Sequence, residues 1–421
     1  MPEPTHDLLV IGGGPAGAAT GFWAASAGLD TVIVERKAFP REKTCGDGLT
    51  PRAVHQLVEM GLGAELDNCH RHDGLRAIAH GRTLEMAWPE HGVYPSYGYV
   101  VRRRDLDTFV ALKAVDAGAQ LLQSTEAVRP LETDGAGIAG ALVVDRSTGV
   151  EREIRAHYVA VADGANSRFG RMLGTARNRE FPMGMAIRGY FESPLHEDPW
   201  IESSLDVRDR NGNAMPGYGW IFPVGDGTIN VGIGLLSTFR DYREVNTSHL
   251  FEEFASTLPD HWQIDPTRPV APPTGGRLPM AGSIQPKAGE NWLAVGDAAG
   301  SVNPFNGEGI DYAYETGRIA ANLIAEASAR GDNAVLARDP DVLEEEYGLY
   351  FKVARLFSRV IGNPTLIREL TRVGMRSQPL MEWALRIMAN LMRDEDRGAA
   401  ESAYTAIAGI VRMVPDQMVD A

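Results

Sequence analysis

A thiol lies in the run Lys43-Thr44-Cys45-Gly46-Asp47-Gly48, among glycines that let a backbone approach a ligand closely. Cys45 can serve there as a proton source or a positioning group, since a free thiol is weakly acidic at neutral pH. It can equally be a small buried filler, the commoner fate of a free cysteine. Three carboxylates close apolar runs: Glu35 after Thr31–Val34, Asp163 after Tyr158–Ala162, and Asp297 after Trp292–Gly296. An acid that ends a buried strand sits at the carboxyl edge of a parallel sheet, where ligands bind. Singly, each reads as a turn residue or a cap. Together they point to one ligand laid along one edge. Further on, Tyr218, Trp220 and Phe222 alternate ahead of Pro223, so their rings share one strand face. Such a face packs on a core or lines a site for a long apolar chain, where each buried CH₂ contributes roughly 0.8 kcal/mol.

The elements that must position these residues follow from the pattern around them. Asp7–Ile11 is a continuous apolar strand of the parallel-sheet kind. It feeds Gly12-Gly13-Gly14-Pro15-Ala16-Gly17, a G-x-G-x-x-G, and the Ala- and Gly-rich stretch 15–28 predicts a closely packed helix. Gly12 allows the tight turn, Gly14 lets the backbone meet a pyrophosphate, and Gly17 lets helix and strand touch. The helix N-terminus at Pro15 and Ala16 favours phosphate charge. Glu35, with Arg36 beside it, is placed to accept from a ribose hydroxyl. The order of strand, glycines, helix, strand and acid implies a bound dinucleotide. Residues 218–236 predict two strands around Gly225-Asp226-Gly227. Pro269–Gly276 reads as a crossing between units, and residues 340–421 read as helices.

Composition narrows the function classes. A chain of 421 residues can build two or three packed units. Its 41 basic and 56 acidic side chains give a net charge of -15, which argues against nucleic acid as a partner. With Cys45 and Cys69 the only thiols, neither a disulfide framework nor a zinc site is expected, and Cys69 reads as structural. No leader peptide and no long apolar run are visible, which points to a cytoplasmic protein. The tail is different. Basic residues outnumber acidic ones between Lys352 and Arg397, and Leu380, Met381, Ala384, Leu385, Met388, Leu391 and Met392 repeat with helical spacing. This reads as a helical cover on the second unit. An apolar, basic face resting on the inner surface of the membrane through Arg386 and Arg393 is the alternative.

These motifs together resemble flavoproteins of the para-hydroxybenzoate hydroxylase fold, and within them the geranylgeranyl reductase family. The resemblance implies an α/β architecture: a Rossmann-type parallel-sheet FAD domain (1–75, 99–180 and 280–335), a β-rich substrate domain (76–98 and 181–279) and a helical C-terminal region (336–421). It carries FAD contacts onto Gly12, Gly14, Pro15, Ala16, Gly17, Glu35 and Arg36, onto Cys45 and Gly46, and onto Arg103 of the run Arg102-Arg103-Arg104-Asp105-Leu106-Asp107. It also carries them onto Asp163 and Gly164, onto Gly296 and Asp297, and onto Pro304, Gly307, Glu308, Gly309 and Ile310. Backbone N–H groups of 306–310, at a helix beginning near Gly307, are expected to face the flavin's pyrimidine edge.

Tyr218, Trp220, Phe222 and Pro223 match the family's substrate-side signature, and the Lys-x-Cys-Gly segment places Cys45 near the flavin as the catalytic residue. The implied reaction is saturation of an isoprene C=C by hydride from flavin N5 and a proton. The proton comes from the thiol or through water. CGDGLTPRAV, PSYG, PGYGWIFPVGDG, NPFNGEGIDY and the late Met388–Met392 segment look most like the menaquinone-reducing members. Reductases of geranylgeranyl diphosphate or geranylgeranyl lipids, an aromatic hydroxylase on the same fold, and a non-enzymatic prenyl carrier are the alternatives. NAD(P)H or a reduced carrier is the expected electron donor.

Overall fold

The computed structural model describes residues 5–393, 398–415 and 419. The strand His6–Ile11 lies at the centre of the first sheet. It pairs in parallel with Thr31–Val34 on one side and Glu151–Val161 on the other. Gln120–Leu122 and Trp292–Ala294 extend the parallel part outward. The long strand Glu151–Val161 also runs antiparallel to Ile138–Asp145, which pairs with Thr125–Glu132, for seven strands in all. Alternation along the central strand explains its uninterrupted apolar run. Leu8 and Val10 join one core with Ala16, Ala24, Ile324 and Ala327, while Leu9 and Ile11 join the opposite core with Val159, Val161 and Phe169. The first of these cores packs the helices α1 (Pro15–Ser26) and α3 (Ile310–Arg330) onto the sheet. Helix α2 (Arg103–Asp116) packs against α1. α1 ends at Ser26, two residues short of the stretch read as helical, where the chain turns through Gly28 at φ +88°.

The second sheet also has seven strands, in the order 274–279, 183–192, 228–236, 217–223, 200–204, 74–79 and 82–87. All pairs are antiparallel except 200–204 with 74–79. Its strand from the early chain begins at Gly74, ahead of residue 76. Thr274–Pro279 is an edge strand, so the Pro- and Gly-rich stretch read as a crossing enters the sheet at Thr274. The return to the first sheet follows Pro279, where Met280 bridges Val302. One face of this sheet is covered by the helix Thr247–Ser256: a Cβ on Gly219 would land 2.2 Å from the Phe254 ring. Tyr218, Trp220 and Phe222 therefore face the other way. A small sheet of Gly48–Leu49, Gly98–Val100 and His70–His72 braces the Cys45 loop against the first unit.

After residue 348 the described residues include the helices α4 (Leu349–Ile361), α5 (Pro364–Gly374), α6 (Gln378–Met388) and α7 (Ala399–Met413). α4 packs on Met280, Phe305 and Tyr312. α6 lies on the strand Arg82–Ala87 of the second sheet, through the cluster of Met86, Trp88, Leu385 and Ala389. The helical architecture expected after residue 336 is present.

The charges singled out there have a different role. Arg386 donates to Glu401 at 2.9 Å, and Arg393 Nε lies 4.0 Å from the same carboxylate oxygen. Both are drawn to a buried acid that clamps α6 to α7, so neither forms a free basic surface. The acidic residues 394–396 and Arg397, part of the same charge balance, lie outside the described residues. No helix among the described residues is long and apolar enough to cross a membrane.

Candidate active site

The glycine turn is built around close backbone approaches. Gly12 has φ +102°, and a Cβ there would sit 2.4 Å from the Ala162 carbonyl oxygen. At Gly17 it would sit 1.8 Å from the carbonyl oxygen of Gly12, which fixes α1 against the turn. Gly14, the N-cap of α1, opens instead onto a cavity also lined by Pro15, Ala16, Glu35 and Arg36. Gly17 does not line it. Glu35 accepts from the N–H of Gly13 at 3.0 Å and from that of Lys37 at 3.1 Å, so the acid also fastens the glycine turn. Its remaining lone pairs leave room for a ribose hydroxyl.

A guanidinium that the glycine pattern does not mark stands over this end. Arg41 pairs with Glu35 at 3.3 Å and donates to Asp107 at 2.8 Å. One of its Nη atoms lies 3.7 Å from the position of a Cβ on Gly14. Asp107 also accepts two hydrogen bonds from Arg103, at 2.6 and 2.9 Å. Of the three consecutive arginines only Arg103 lines the cavity. Arg102 pairs with Asp226 at 2.7 Å, and Arg104 pairs with Asp105 at the surface.

Asp163 and Gly164 border the same cavity from the end of the neighbouring parallel strand. Asp163 accepts from the N–H of Phe169 at 2.9 Å, while its other oxygen is buried without a partner among the described residues. Burial raises its pKa. Asp297 lines the cavity beside Gly309, and burial also raises its pKa against the opposing pull of Lys43 and Arg103. Gly296 is a packing residue: a Cβ there would meet that of Ala16 at 2.7 Å.

The loop 304–310 supplies cavity-lining backbone, but the helix starts later than expected. α3 begins at Ile310 with Gly309 as its N-cap. The N–H of Gly307 donates to Asn303 and that of Glu308 to Asn306, both at 2.9 Å, so these two stabilise the loop and do not face the cavity as donors. Glu308 accepts from the Thr50 hydroxyl, and burial lifts its pKa to about 7. Pro304 borders the cavity as well.

The Cys45 loop crosses between the two sheets. Its carbonyl accepts from Arg188 at 3.2 Å and from Asn230 at 3.0 Å. Cβ atoms on Gly46 and Gly48 would come within 3.2 and 3.0 Å of the Phe222 ring. A side chain at either glycine would press on that ring. Burial raises the pKa of the Cys45 thiol, with Arg103 opposing, so the sulfur keeps its proton at neutral pH. Cys69 contrasts with it: the sulfur donates to the Glu65 carbonyl at 3.4 Å and packs beside the core of the first unit.

Sequence reasoning also passed over the acid beneath this loop. Asp47 is fully buried at φ +66° and accepts from Tyr190 at 2.5 Å, from Asn230 at 2.9 Å and from the N–H of Arg103 at 3.3 Å. Burial lifts its pKa to about 6 despite those bonds. Tyr190 and Asn230 come from strands more than a hundred residues away and Arg103 from a helix 56 residues on, so no local spacing marks it.

The aromatic face closes the site. Trp220 donates to Asn230 at 3.0 Å, the amide that also holds Cys45 and Asp47. Tyr218 donates to the carbonyl of Asn306 at 2.5 Å, tying the second sheet to the loop before α3. The Trp220 ring centroid lies 6.0 Å from that of Tyr218 and 6.2 Å from that of Phe222, and all three rings line the cavity. Pro223 does not. It is buried in the sheet, because the alternation that exposes the rings turns the next residue inward.

One cavity of about 1500 Å³ joins these parts. Its first half runs along the carboxyl edge of the parallel sheet among charged and glycine residues. Beyond Trp220 it continues between the second sheet and α4–α7. There the lining includes Met86, Leu235, Phe357, Trp383 and Tyr404, and every lining residue from 353 onward is uncharged. The first half suits a dinucleotide with a flavin at its inner end. A glycine helix terminus, an arginine pair and an unpartnered buried carboxylate oxygen follow one another along it.

Comparison with known proteins agrees with this geometry. The FAD binding domain family matches residues 5–338. The menaquinone reductase of Mycobacterium tuberculosis is 41% identical over 413 residues, 98% of each chain. Digeranylgeranylglycerophospholipid reductase 2 of Methanopyrus kandleri is 32% identical over 368 residues, 85% of this chain and 86% of its own. A geranylgeranyl bacteriochlorophyll reductase-like protein of Thermoplasma acidophilum shares the fold, with TM-score 0.78 and 21% identity over 96% of this chain and 99% of its own. The chain belongs to the FAD-binding domain family and, within it, to the geranylgeranyl reductase group that includes the mycobacterial menaquinone reductases.

Proposed function

We propose that this FAD-dependent reductase saturates one isoprene C=C in the prenyl tail of menaquinone, drawing electrons from NAD(P)H or a reduced carrier. The observation that supports the substrate class is the helical wall of the cavity's second half, where every lining residue from 353 onward is uncharged, continuous with the cofactor half at the Cys45 loop. A prenyl tail has only methyl, methylene and vinyl groups to offer. Each CH₂ buried against such a wall contributes roughly 0.8 kcal/mol, so apolar burial can supply the binding. The names carried by the relatives favour the quinone over a lipid or a diphosphate.

Bound FAD, when reduced, supplies the hydride for such a saturation. The chain's own residues do the rest. Gly14 and the N-terminus of α1 hold the diphosphate, Glu35 the ribose, and Asp163, Asp297, Arg41 and Arg103 the remainder of the cofactor. Trp220 and Phe222 wall the junction. Cys45 Sγ holds a proton at the same junction, set by the hydrogen bonds from Arg188 and Asn230 to its carbonyl, and delivers it to the second carbon directly or through one water. An aligned donor at about 3–3.5 Å from its target is what such a transfer requires.

The test is anaerobic. The bound flavin is reduced chemically and mixed with menaquinone or with geranylgeranyl diphosphate. Rapid flavin reoxidation by menaquinone, with a product heavier by two hydrogens on the tail, is expected. Reoxidation by the diphosphate alone would overturn the quinone assignment.

A further inference from the structure

The apolar arm of the cavity reaches the protein surface through three helices. Leu370 of α5, Leu380 of α6 and Ile407 of α7 all line the cavity, yet they are 44%, 41% and 47% exposed. They form the rim of a mouth. Around that rim the apolar surface continues. Leu366 and Val373 share a face of α5 with Leu370, and Ile410 and Met413 follow Ile407 along α7. Val373, Ile410 and Met413 are 58%, 63% and 78% exposed and touch no part of the cavity. Water-facing side chains of this size, gathered at the opening of an apolar tunnel, are costly unless something covers them.

The charges flanking the patch indicate what covers it. Arg368, Arg372, Arg376 and Arg412 are exposed on these helices and the turn after α5, against acidic Glu369 and Glu382, although the whole chain carries -15. Basic residues beside an apolar helix face complement anionic headgroups around a hydrocarbon interior. A prenyl quinone is dissolved in that interior. The continuity of rim and arm lets its tail pass from bilayer to cavity without entering water.

We propose that α5, α6 and α7 form a face that seats on a lipid bilayer, with the mouth of the substrate arm opening into the membrane. The proposal rests on the reading of the arm as a prenyl-tail site. It reassigns membrane contact from Arg386 and Arg393, which serve the α6–α7 clamp, to the rim of the mouth.

The FAD-loaded protein is floated with vesicles of phosphatidylcholine and phosphatidylglycerol, beside the double variant Val373→Asp/Ile410→Asp, whose changes lie outside the cavity lining. The wild type is expected to float. The variant's partition should fall by more than about tenfold, since apolar insertion of a few side chains dominates such binding. Turnover of a short-chain, water-soluble prenyl quinone should be the same for both, while turnover of vesicle-held menaquinone drops in the variant. Equal flotation of the two proteins overturns the docking face. So does a wild type that stays out of the vesicle fraction, or a wild-type dimer that the variant converts to monomer, which would make the patch a contact between copies. A wild type that floats yet reduces neither quinone leaves the docking face standing and overturns the assigned substrate.

Discussion

Asp47→Asn isolates the energetic consequence of burying an acid beneath the Cys45 loop. The carboxyl ionises near 6 in the fold and at its ordinary 3.8 in the unfolded chain. Its native value is raised, so the native state binds this proton more tightly. Stability from this group is therefore fully present below the unfolded value and is lost as pH rises through about 6. At about 1.36 kcal/mol per pH unit, the ionised carboxylate costs the native protein about 3 kcal/mol at neutral pH and above, and roughly 2 kcal/mol of that appears between about pH 4 and pH 7.

Asparagine carries no charge, so the variant lacks this dependence. It has a cost of its own. Oxygen must keep accepting from Tyr190 and Asn230, which turns the amide N–H₂ toward the N–H of Arg103, a donor facing a donor. That misfit costs about 1 kcal/mol. The expected outcome is a variant more stable than the wild type by about 2 kcal/mol above neutral pH, with the advantage shrinking and then reversing as pH falls toward about 4. Urea unfolding of the two flavin-loaded proteins, side by side at stepped pH with excess FAD held constant, measures it. Parallel stability profiles across that range would refute the assignment of a raised pKa to this buried site.

Three further outcomes follow from the geometry. Gly17→Ala drives a methyl to within 1.8 Å of the Gly12 carbonyl, which backbone cannot avoid, so the purified protein should lose its yellow colour as judged by flavin absorbance. Arg41→Ala removes a guanidinium held by Glu35 and Asp107 over the Gly14 turn, and FAD affinity measured by titration of the stripped protein should fall by about tenfold or more. Cys45→Ala should keep the flavin absorbance unchanged while turnover drops by about 10²-fold or more, as for loss of a general acid. Wild-type turnover in that variant would show the thiol to be filler.

The linear order of residues determined the cofactor half of this protein. A glycine turn, a helix and an acid at the end of the next strand are local features whose geometry is set within thirty residues, so Gly12, Gly14, Gly17 and Glu35 can be read directly. The alternation of Tyr218, Trp220 and Phe222 is equally local, and it correctly put three rings on one face while leaving open what the face looks onto. Tertiary structure decided what lay across that gap. Asp47, Tyr190, Asn230 and Arg188 meet under the Cys45 loop only because the second sheet folds back on the first, and Arg41 reaches Asp107 across 66 residues. The tail shows the limit most clearly. Its composition announced an apolar and basic helical surface, but which arginines clamp helices together and which lie exposed around the mouth depends on where Glu401 ends up. A side chain's role is fixed by its neighbours, and in this chain the neighbours that matter to the substrate come from far along the sequence.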